Sequence, residues 1–282
     1  IFYQMGTGIG DPLPQFTQIF SNAISIAAGG SCSLLVKNDN TLWASGSNAY
    51  GQFGDGTTTG KNGFTQVQTG IAKVKTSKQD FNTGGSDPYG YFSFFIKTDG
   101  TAWGSGANGW GQLGDGTTAQ RLSPVQVLSN VADIQISQRH TLFLKNDNTV
   151  WATGTNSFGQ FGNGTTVSSF TPVQVLSNVK QIASGFAHSL FLKTDGTLWA
   201  TGGNTFGQFG NGNTTSSLSP VFIRSNVAKI SAYAYTTMFS TVDGFAFGTG
   251  ANIDGQIGNG QSGSGLYYTS PQQVQFPQSI YS

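Results

Sequence analysis

Glutamate is absent from this sequence of 282 residues, and all 12 acidic residues are aspartate. Glutamate favours helices, whereas Asp, Asn, Gly, Ser and Thr favour turns. Glycine alone accounts for 41 residues. The missing glutamate therefore argues against a helical protein, and the composition predicts short strands joined by many turns.

Charge is also scarce. Charged residues make up 9% of the chain and the formal net charge is +1, so nothing favours binding to nucleic acid or to an anionic membrane. Hydrophobic residues still reach 37%, which is enough for a packed core. The apolar runs are too short to span a bilayer. We therefore expect neither a nucleic-acid partner nor insertion into a membrane.

Cysteine is almost absent too. Cys32 is the only one, which excludes a disulfide framework and the spacing of a zinc site, and we expect it to be a small buried residue. The low charge and the loops rich in Thr, Asn and Gly are typical of secreted bacterial modules. We therefore expect an extracellular or cell-surface location, with the cytoplasm as the alternative.

Repetition is what the sequence has in abundance. The pattern GQxG recurs with its glutamine at steps of 60, 48, 48 and 48 residues, and an aspartate recurs at the same steps. In the first four repeats a lysine stands two residues before this aspartate and a tryptophan four residues after it. The glutamines are Gln52, Gln112, Gln160, Gln208 and Gln256; the aspartates are Asp39, Asp99, Asp147, Asp195 and Asp243; the lysines are Lys37, Lys97, Lys145 and Lys193.

Each repeat of about 48 residues predicts four strands, A to D. In the fourth repeat, strands A, B and C are predicted at 179–183, 188–193 and 197–201, and strand D around 220–223. A tight turn at Thr194-Asp195-Gly196 separates strands B and C. A four-stranded unit repeated this often predicts an all-β fold, a β-propeller whose blades are small sheets. Residues 1–282 would then form a single propeller domain.

Both ends of the chain fall inside a repeat. Residues 3–8, YQMGTG, align with GQFGNG at 159–164. We therefore expect a strand D near residues 14–20 and the start of a strand A near Ile280. Together with the five repeats between them, these partial repeats at the two ends predict six or seven blades. We favour a partial seven-bladed ring, in which the two termini share a blade or border a gap.

The pattern H-S-L-x-L-K-x-D-G-T-x-W-x-x-G-x-N-x-x-G-Q-x-G resembles the bacterial form of the regulator of chromosome condensation repeat. Residues 188–210, HSLFLKTDGTLWATGGNTFGQFG, and residues 140–162, HTLFLKNDNTVWATGTNSFGQFG, carry the resemblance, which extends over essentially the whole chain. It implies a β-propeller. The family includes an exchange factor for a small GTPase, secreted bacterial inhibitors and surface modules, so the resemblance leaves the function open.

The two histidines invite a metal or cofactor hypothesis. His140 and His188 occupy a position that other repeats fill with Cys32, Phe92 and Thr236. Since phenylalanine cannot be a ligand, ordinary blade packing explains this position better. We expect no metal and no cofactor.

The repeated aspartates are predicted to lie in hairpin turns of different blades, where Asp caps backbone N–H groups. Asp55 and Asp115 occupy a loop position that holds asparagine in the other repeats, so turn geometry explains them as well. No acid–base pair or nucleophile triad is visible, and we expect no catalytic residue. Asn163 and Asn213 lie in glycosylation sequons that matter only in a eukaryotic secretory pathway.

Two irregularities of the repeat predict a binding surface. Residues 78–91 form an insertion between strands A and B of the second repeat, and the last GQxG loop is three residues longer than the others. In an up-and-down blade, the loop between strands A and B (the AB loop) and the loop between strands C and D (the CD loop) lie at the same end of the sheet. Every GQxG segment is a CD loop. Loops on a rigid scaffold are the usual place for recognition. The candidate binding residues are Lys78, Phe81, Asp87, Tyr89 and Tyr91 of the insertion, and Tyr50, Trp110, Phe158, Phe206, Tyr267 and Tyr268 of the CD loops.

Simpler roles remain open for both groups. The four aromatic residues before the Gly-Gln pairs could pack each loop onto its own blade, and the insertion could be an inert excursion. The function predicted from sequence is a non-catalytic scaffold that binds a protein, a glycan or another copy of the chain. An exchange factor for a small GTPase is the alternative, disfavoured by the low charge.

Overall fold

The computed structural model describes residues 20–29, 31–77 and 90–275. Within these ranges the chain forms twenty β-strands and no α-helix. Most of the expected first strand D and the expected last strand A, near Ile280, lie outside the described residues.

The strands form five antiparallel sheets of four strands each. The first sheet contains β1 (Ala23–Gly29), β2 (Cys32–Lys37), β3 (Leu42–Gly46) and β4 (Lys61–Gln68). The second contains β5 (Ile71–Thr76), β6 (Phe92–Lys97), β7 (Ala102–Gly106) and β8 (Arg121–Leu128). The third contains β9 (Val131–Ile136), β10 (His140–Lys145), β11 (Val150–Gly154) and β12 (Ser169–Leu176). The fourth contains β13 (Val179–Ser184), β14 (His188–Lys193), β15 (Leu198–Gly202) and β16 (Ser217–Arg224), and the fifth β17 (Val227–Tyr233), β18 (Thr236–Thr241), β19 (Ala246–Ala251) and β20 (Tyr267–Gln273).

Strands in every sheet are hydrogen-bonded in chain order. This confirms the predicted blade of four strands and the all-β propeller fold. Lys37, Lys97, Lys145 and Lys193 each end the second strand of their sheet, as the repeat spacing predicts. Strand D of the fourth sheet begins earlier than predicted, because Ser217 already pairs with Gly202 of strand C.

Two compact units divide the chain. One consists of Ile1–Asp147, Ala152–Thr155 and Ser169–Val173, and the other of Asn148–Trp151, Asn156–Ser168 and Gln174–Ser282. We call them the first and the second unit. The first contains the first two sheets, and the second contains the last two.

Within each unit, neighbouring sheets bury their apolar faces against each other. The cluster of the first unit comprises Cys32, Leu34, Val36, Leu42, Ala44, Phe53, Ile71, Val74 and Phe95. The cluster of the second unit comprises Ala183, Leu190, Leu192, Leu198, Ala200, Phe209, Val227, Ile230 and Phe239. Strand A of one blade therefore contributes aliphatic side chains to the core of the blade before it.

One position of strand A shows how far this packing reaches. Its residue is buried in four sheets, with exposed fractions of 1% for Val74, 0% for Ile134, 1% for Ile182 and 6% for Ile230. Ile26 occupies the same position in β1 and is 75% exposed. No described sheet therefore covers Ile26.

The BC turns agree with the predicted hairpin. In the fourth sheet the Gly196 N–H donates to Lys193 O (3.0 Å), and the φ of +84° at Gly196 requires the left-handed region. Asp195 Oδ1 accepts from the Thr197 N–H (2.9 Å) and hydroxyl (2.7 Å). Trp199 Nε1 donates to Thr197 Oγ1 (2.9 Å). Asp195 therefore caps its turn, and the hydrogen bonds from Thr197 hold the pKa of its carboxyl below the usual value.

Candidate functional site

Each GQxG loop is folded around a buried asparagine. In the fourth sheet, Asn204 Oδ1 accepts from the Phe209 N–H (2.9 Å), and its Nδ2 donates to the carbonyl oxygen of Asn213 (3.0 Å). Gln208 Oε1 accepts from the Phe206 N–H (2.9 Å). The same asparagine contact recurs at Asn48, Asn108, Asn156 and Asn252. These bonds satisfy buried polar groups and make each CD loop a defined platform rather than a loose excursion.

The role of this asparagine was not predicted from the sequence. The signal was present, because an asparagine stands four residues before every repeated glutamine. An asparagine in a Gly-rich segment is typical of a turn, which concealed its role as the centre of the loop.

The aspartates of the first two CD loops do more than fill a turn. Asn108 Nδ2 donates to Asp115 Oδ1 (3.0 Å), and Arg121 Nε donates to Asp115 Oδ2. The Asp115 side chain is 1% exposed. Burial raises the pKa of Asp115, but the hydrogen bonds from Thr117 and Arg121 outweigh it and the net pKa is lowered. Asp55 forms the equivalent ion pair with Lys61 (3.3 Å). Turn geometry therefore explains these aspartates only in part.

In the first unit, aromatic residues before the Gly-Gln pairs contact the AB loop of the next blade. The rings of Tyr50 and Tyr91 stack with centroids 5.0 Å apart and an angle of 5° between their planes. The Arg139 guanidinium lies over the Trp110 ring, 4.7 Å from its centroid. The two loop types therefore form one surface between adjacent blades within this unit.

The second unit repeats the arrangement with more rings. Phe206 lies 4.8 Å from Tyr235, the residue of the next AB loop, and Tyr235 lies 5.5 Å from Phe186 (centroid distances). Phe206 also meets Tyr267 at 6.3 Å. Phe158 is half-exposed in its CD loop. Tyr50, Trp110 and Phe206 thus contact the AB loop of a neighbouring blade. Packing on their own blade alone does not describe them.

The structure describes only some of the other candidate binding residues. Lys78, Phe81, Asp87 and Tyr89 lie outside the described residues. Tyr91 is described, and its ring stacks on Tyr50 of a CD loop. It therefore lies at the end of its blade that carries the AB and CD loops. Tyr267 and Tyr268 begin strand β20 rather than extending the last loop, because they pair with Ala251 and Gly250.

The histidines are packing residues. His140 and His188 are completely buried. His140 Nδ1 lies 2.7 Å from Ser137 Oγ, and His188 Nε2 lies 3.0 Å from Thr237 Oγ1. Burial lowers the pKa of His188 to about 4.

Cys32 is buried as expected, and burial raises the pKa of its thiol to about 11. Across the part of the chain that the structure describes, no three His, Cys, Asp or Glu residues are grouped so that they could hold a metal ion. The same residues contain no helix long and apolar enough to cross a membrane.

Comparison with known families identifies the repeat. A model described as regulator of chromosome condensation (RCC1) repeat matches residues 99–144, 147–192 and 195–240. A second model of the same repeat matches residues 23–52, 131–160 and 179–208. No curated protein sequence matches the chain.

Similar solved structures share the fold at low identity. Human WBSCR16 superposes with a TM-score of 0.74 at 19% identity, over 91% of this chain and 67% of that one. Yeast RCC1 (Prp20), solved with Kap60 bound, gives 0.61 at 18% identity, over 91% and 76%. Prp20p from Saccharomyces cerevisiae, described with its binding to Gsp1p and histones, gives 0.63 at 17% identity, over 91% and 78%. At these identities the similarity shows the fold alone.

Proposed function

The chain belongs to the family of regulator of chromosome condensation (RCC1) repeat proteins, and on this basis we propose that it is a non-catalytic scaffold that binds a protein or glycan partner through its AB and CD loops. The observation that carries this proposal is the contact between the CD loop of one blade and the AB loop of the next, seen in Tyr50–Tyr91 and in Phe206–Tyr235. Loops held in this way form a continuous surface between blades.

Rigidity supports the proposal. A binding surface that is already ordered loses little conformational entropy when a partner docks. The buried asparagine of every CD loop and the glutamine that accepts from the backbone two residues before it supply this order. The low charge of the chain leads us to propose further that it acts outside the cell or at its surface, with the cytoplasm as the alternative.

An exchange factor for a small GTPase is the second candidate, because Prp20p is described with its binding to Gsp1p. Charged groups that complement the partner speed association. The AB and CD loops of this chain carry few of them, which favours the scaffold. A GTPase loaded with a fluorescent guanine nucleotide distinguishes the two, since accelerated nucleotide release would select the exchange factor.

The scaffold is tested by locating the binding end of the blades. We expect peptides selected from a phage-displayed random library, or ligands from a glycan array, to lose binding when Tyr50 and Trp110, or Phe206 and Tyr235, are changed to Ser. Val242→Ser with Phe245→Ser is the matched control, because these exposed residues lie in a BC turn at the opposite end of a blade. Binding that follows the control variant and ignores the loop variants would refute the proposal.

A further inference from the structure

The second unit presents a cluster of four aromatic rings at the AB/CD end of its blades. We call Phe186, Phe206, Tyr235 and Tyr267 the aromatic cluster. Successive ring centroids are 5.5, 4.8 and 6.3 Å apart along the series Phe186, Tyr235, Phe206, Tyr267. They come from two AB loops, one CD loop and the first residue of β20, so the blades of this unit jointly build the cluster.

Water reaches this end of the unit. Tyr267 is 45% exposed, and Phe158 in the loop at 156–168 is 49% exposed. Ile253 in the last CD loop and Tyr233 at the end of β17 are exposed to a similar extent. Tyr267 contacts Phe206, so exposed aromatic area adjoins the cluster, and covering such area recovers roughly 25 cal/mol per Å².

Charge is nearly absent from the same loops. Residues 156–168, 185–187, 203–216, 234–235 and 252–266 contain one charged residue, Asp254. A partner recognised through ion pairs, such as an acidic or basic protein surface, finds no complement here. The surface suits an uncharged partner.

The angles between the rings distinguish among uncharged partners. The planes of Phe186 and Tyr235 differ by 55°, those of Tyr235 and Phe206 by 50°, and those of Phe206 and Tyr267 by 80°. A sugar stacks its C–H face flat on an open ring face, whereas tilted rings in contact turn the edge of one ring toward the face of the next and cover part of it. Buried apolar and aromatic side chains are also what dominates the binding energy of protein interfaces.

We infer that the aromatic cluster docks an uncharged polypeptide segment of a partner protein, whose apolar side chains pack against the exposed parts of the rings. This inference rests on the proposed function and deepens it by naming the class of partner. The amide of Phe206 is already bonded to Gln208 Oε1, and Phe209 to Asn204 Oδ1, so the segment meets a surface that needs little further ordering.

Phage-displayed random peptides provide the probe. We expect the selected peptides to be uncharged and rich in aromatic and aliphatic residues. Phe206→Ser with Tyr235→Ser should weaken a selected peptide about tenfold or more in fluorescence anisotropy. The affinity should change less than about twofold between roughly 50 and 500 mM salt. Val242→Ser with Phe245→Ser should leave it unchanged.

Tyr267→Ser is a second variant for the case in which the first fails to fold, because Tyr267 belongs to the cluster and is half-exposed. Circular dichroism checks the fold of each variant. Selected peptides that are charged and sensitive to salt would overturn the inference. So would neutral oligosaccharides that bind on an array and are lost with the same substitutions, or sedimentation showing that the surface instead pairs two copies of the chain.

Failure of this inference is distinguishable from failure of the proposed function. Peptide binding that depends on Tyr50 and Trp110 but not on Phe206 and Tyr235 refutes the aromatic cluster and leaves the loop-binding scaffold intact. Binding that depends on Val242 and Phe245 refutes both.

Discussion

At the scale of single residues, the position shared by His140 and His188 shows how one buried position accepts different chemistry. His188 packs between blades with Nε2 near Thr237, while its buried Nδ1 forms no hydrogen bond with a described group. Cys32, Phe92 and Thr236 fill the same position elsewhere and are also buried. What the position requires is burial, which is why the pattern of substitution predicted packing correctly.

The neutral state of His188 makes stability depend on pH. The ordinary pKa of 6.5 falls to about 4 in the folded chain, so between these values the unfolded chain binds a proton that the folded chain does not. The stabilisation is complete above pH 6.5 and is lost as the pH falls toward 4. We expect about 2–3 kcal/mol of the free energy of unfolding to disappear between pH 7.5 and 4.5 through this residue.

Urea unfolding at these two pH values measures the effect. His188→Phe, which copies the residue type of Phe92, should reduce the pH dependence by about that amount, since other titrating groups cancel in the comparison. An unchanged pH dependence in the variant would show that His188 binds its proton as readily in the folded chain as in the unfolded chain.

At the scale of elements, the CD loops come in two kinds. The first and second pair a loop aspartate with a basic residue at the start of strand D, as in Asp115–Arg121. The next two loops have asparagine and serine at the same positions, Asn163 with Ser169 and Asn211 with Ser217. The two positions change together because a buried carboxylate and a cation each need the other.

A double-mutant cycle tests this coupling. Arg121→Ser leaves the buried Asp115 without its cation and should cost about 2 kcal/mol or more of the free energy of unfolding. Asp115→Asn added to it should restore part of the loss, because the pair then matches the third and fourth loops. The interaction energy from urea unfolding should exceed about 0.5 kcal/mol, and strictly additive costs would contradict the coupling.

Much of each element was predictable, and its contacts were not. Period and turn residues predicted strands B and C of the fourth repeat to within one residue, because the apolar run of strand B and the Asp-Gly turn are local signals. Local signals do not reveal that Asn204 centres its loop or that Tyr50 stacks on Tyr91, since these contacts depend on how loops of different blades approach. Tyr267 was placed in a loop for the same reason, because its pairing with Ala251 is made across the sheet.

At the scale of the whole molecule, blades share their cores with neighbouring blades of the same unit. The fourth residue of strand A is buried in four blades, whereas Ile26 is exposed, and Val74 and Ile230 pack into the core cluster of the preceding sheet. Truncating this residue therefore measures whether a sheet lies against it.

We expect Ile230→Ala to cost about 2–4 kcal/mol of the free energy of unfolding, because it opens a cavity in the cluster between the fourth and fifth sheets. Ile26→Ala should stay within about 0.5 kcal/mol. Chemical denaturation of the two variants side by side provides the comparison, and equal costs would mean that another sheet covers Ile26 in solution.

The paired aspartate and basic residue also constrain how blades can be exchanged. Asp115 and Arg121 stand six residues apart, on either side of the junction between the CD loop and strand D. A crossover at that junction between a blade of one kind and a blade of the other would leave a carboxylate or a cation unmatched. Duplication or shuffling of intact repeats keeps the aspartate and its basic partner together. The breakpoints that preserve stability therefore lie outside this short stretch. Consensus blades are best assembled with the CD loop and strand D taken from the same parent.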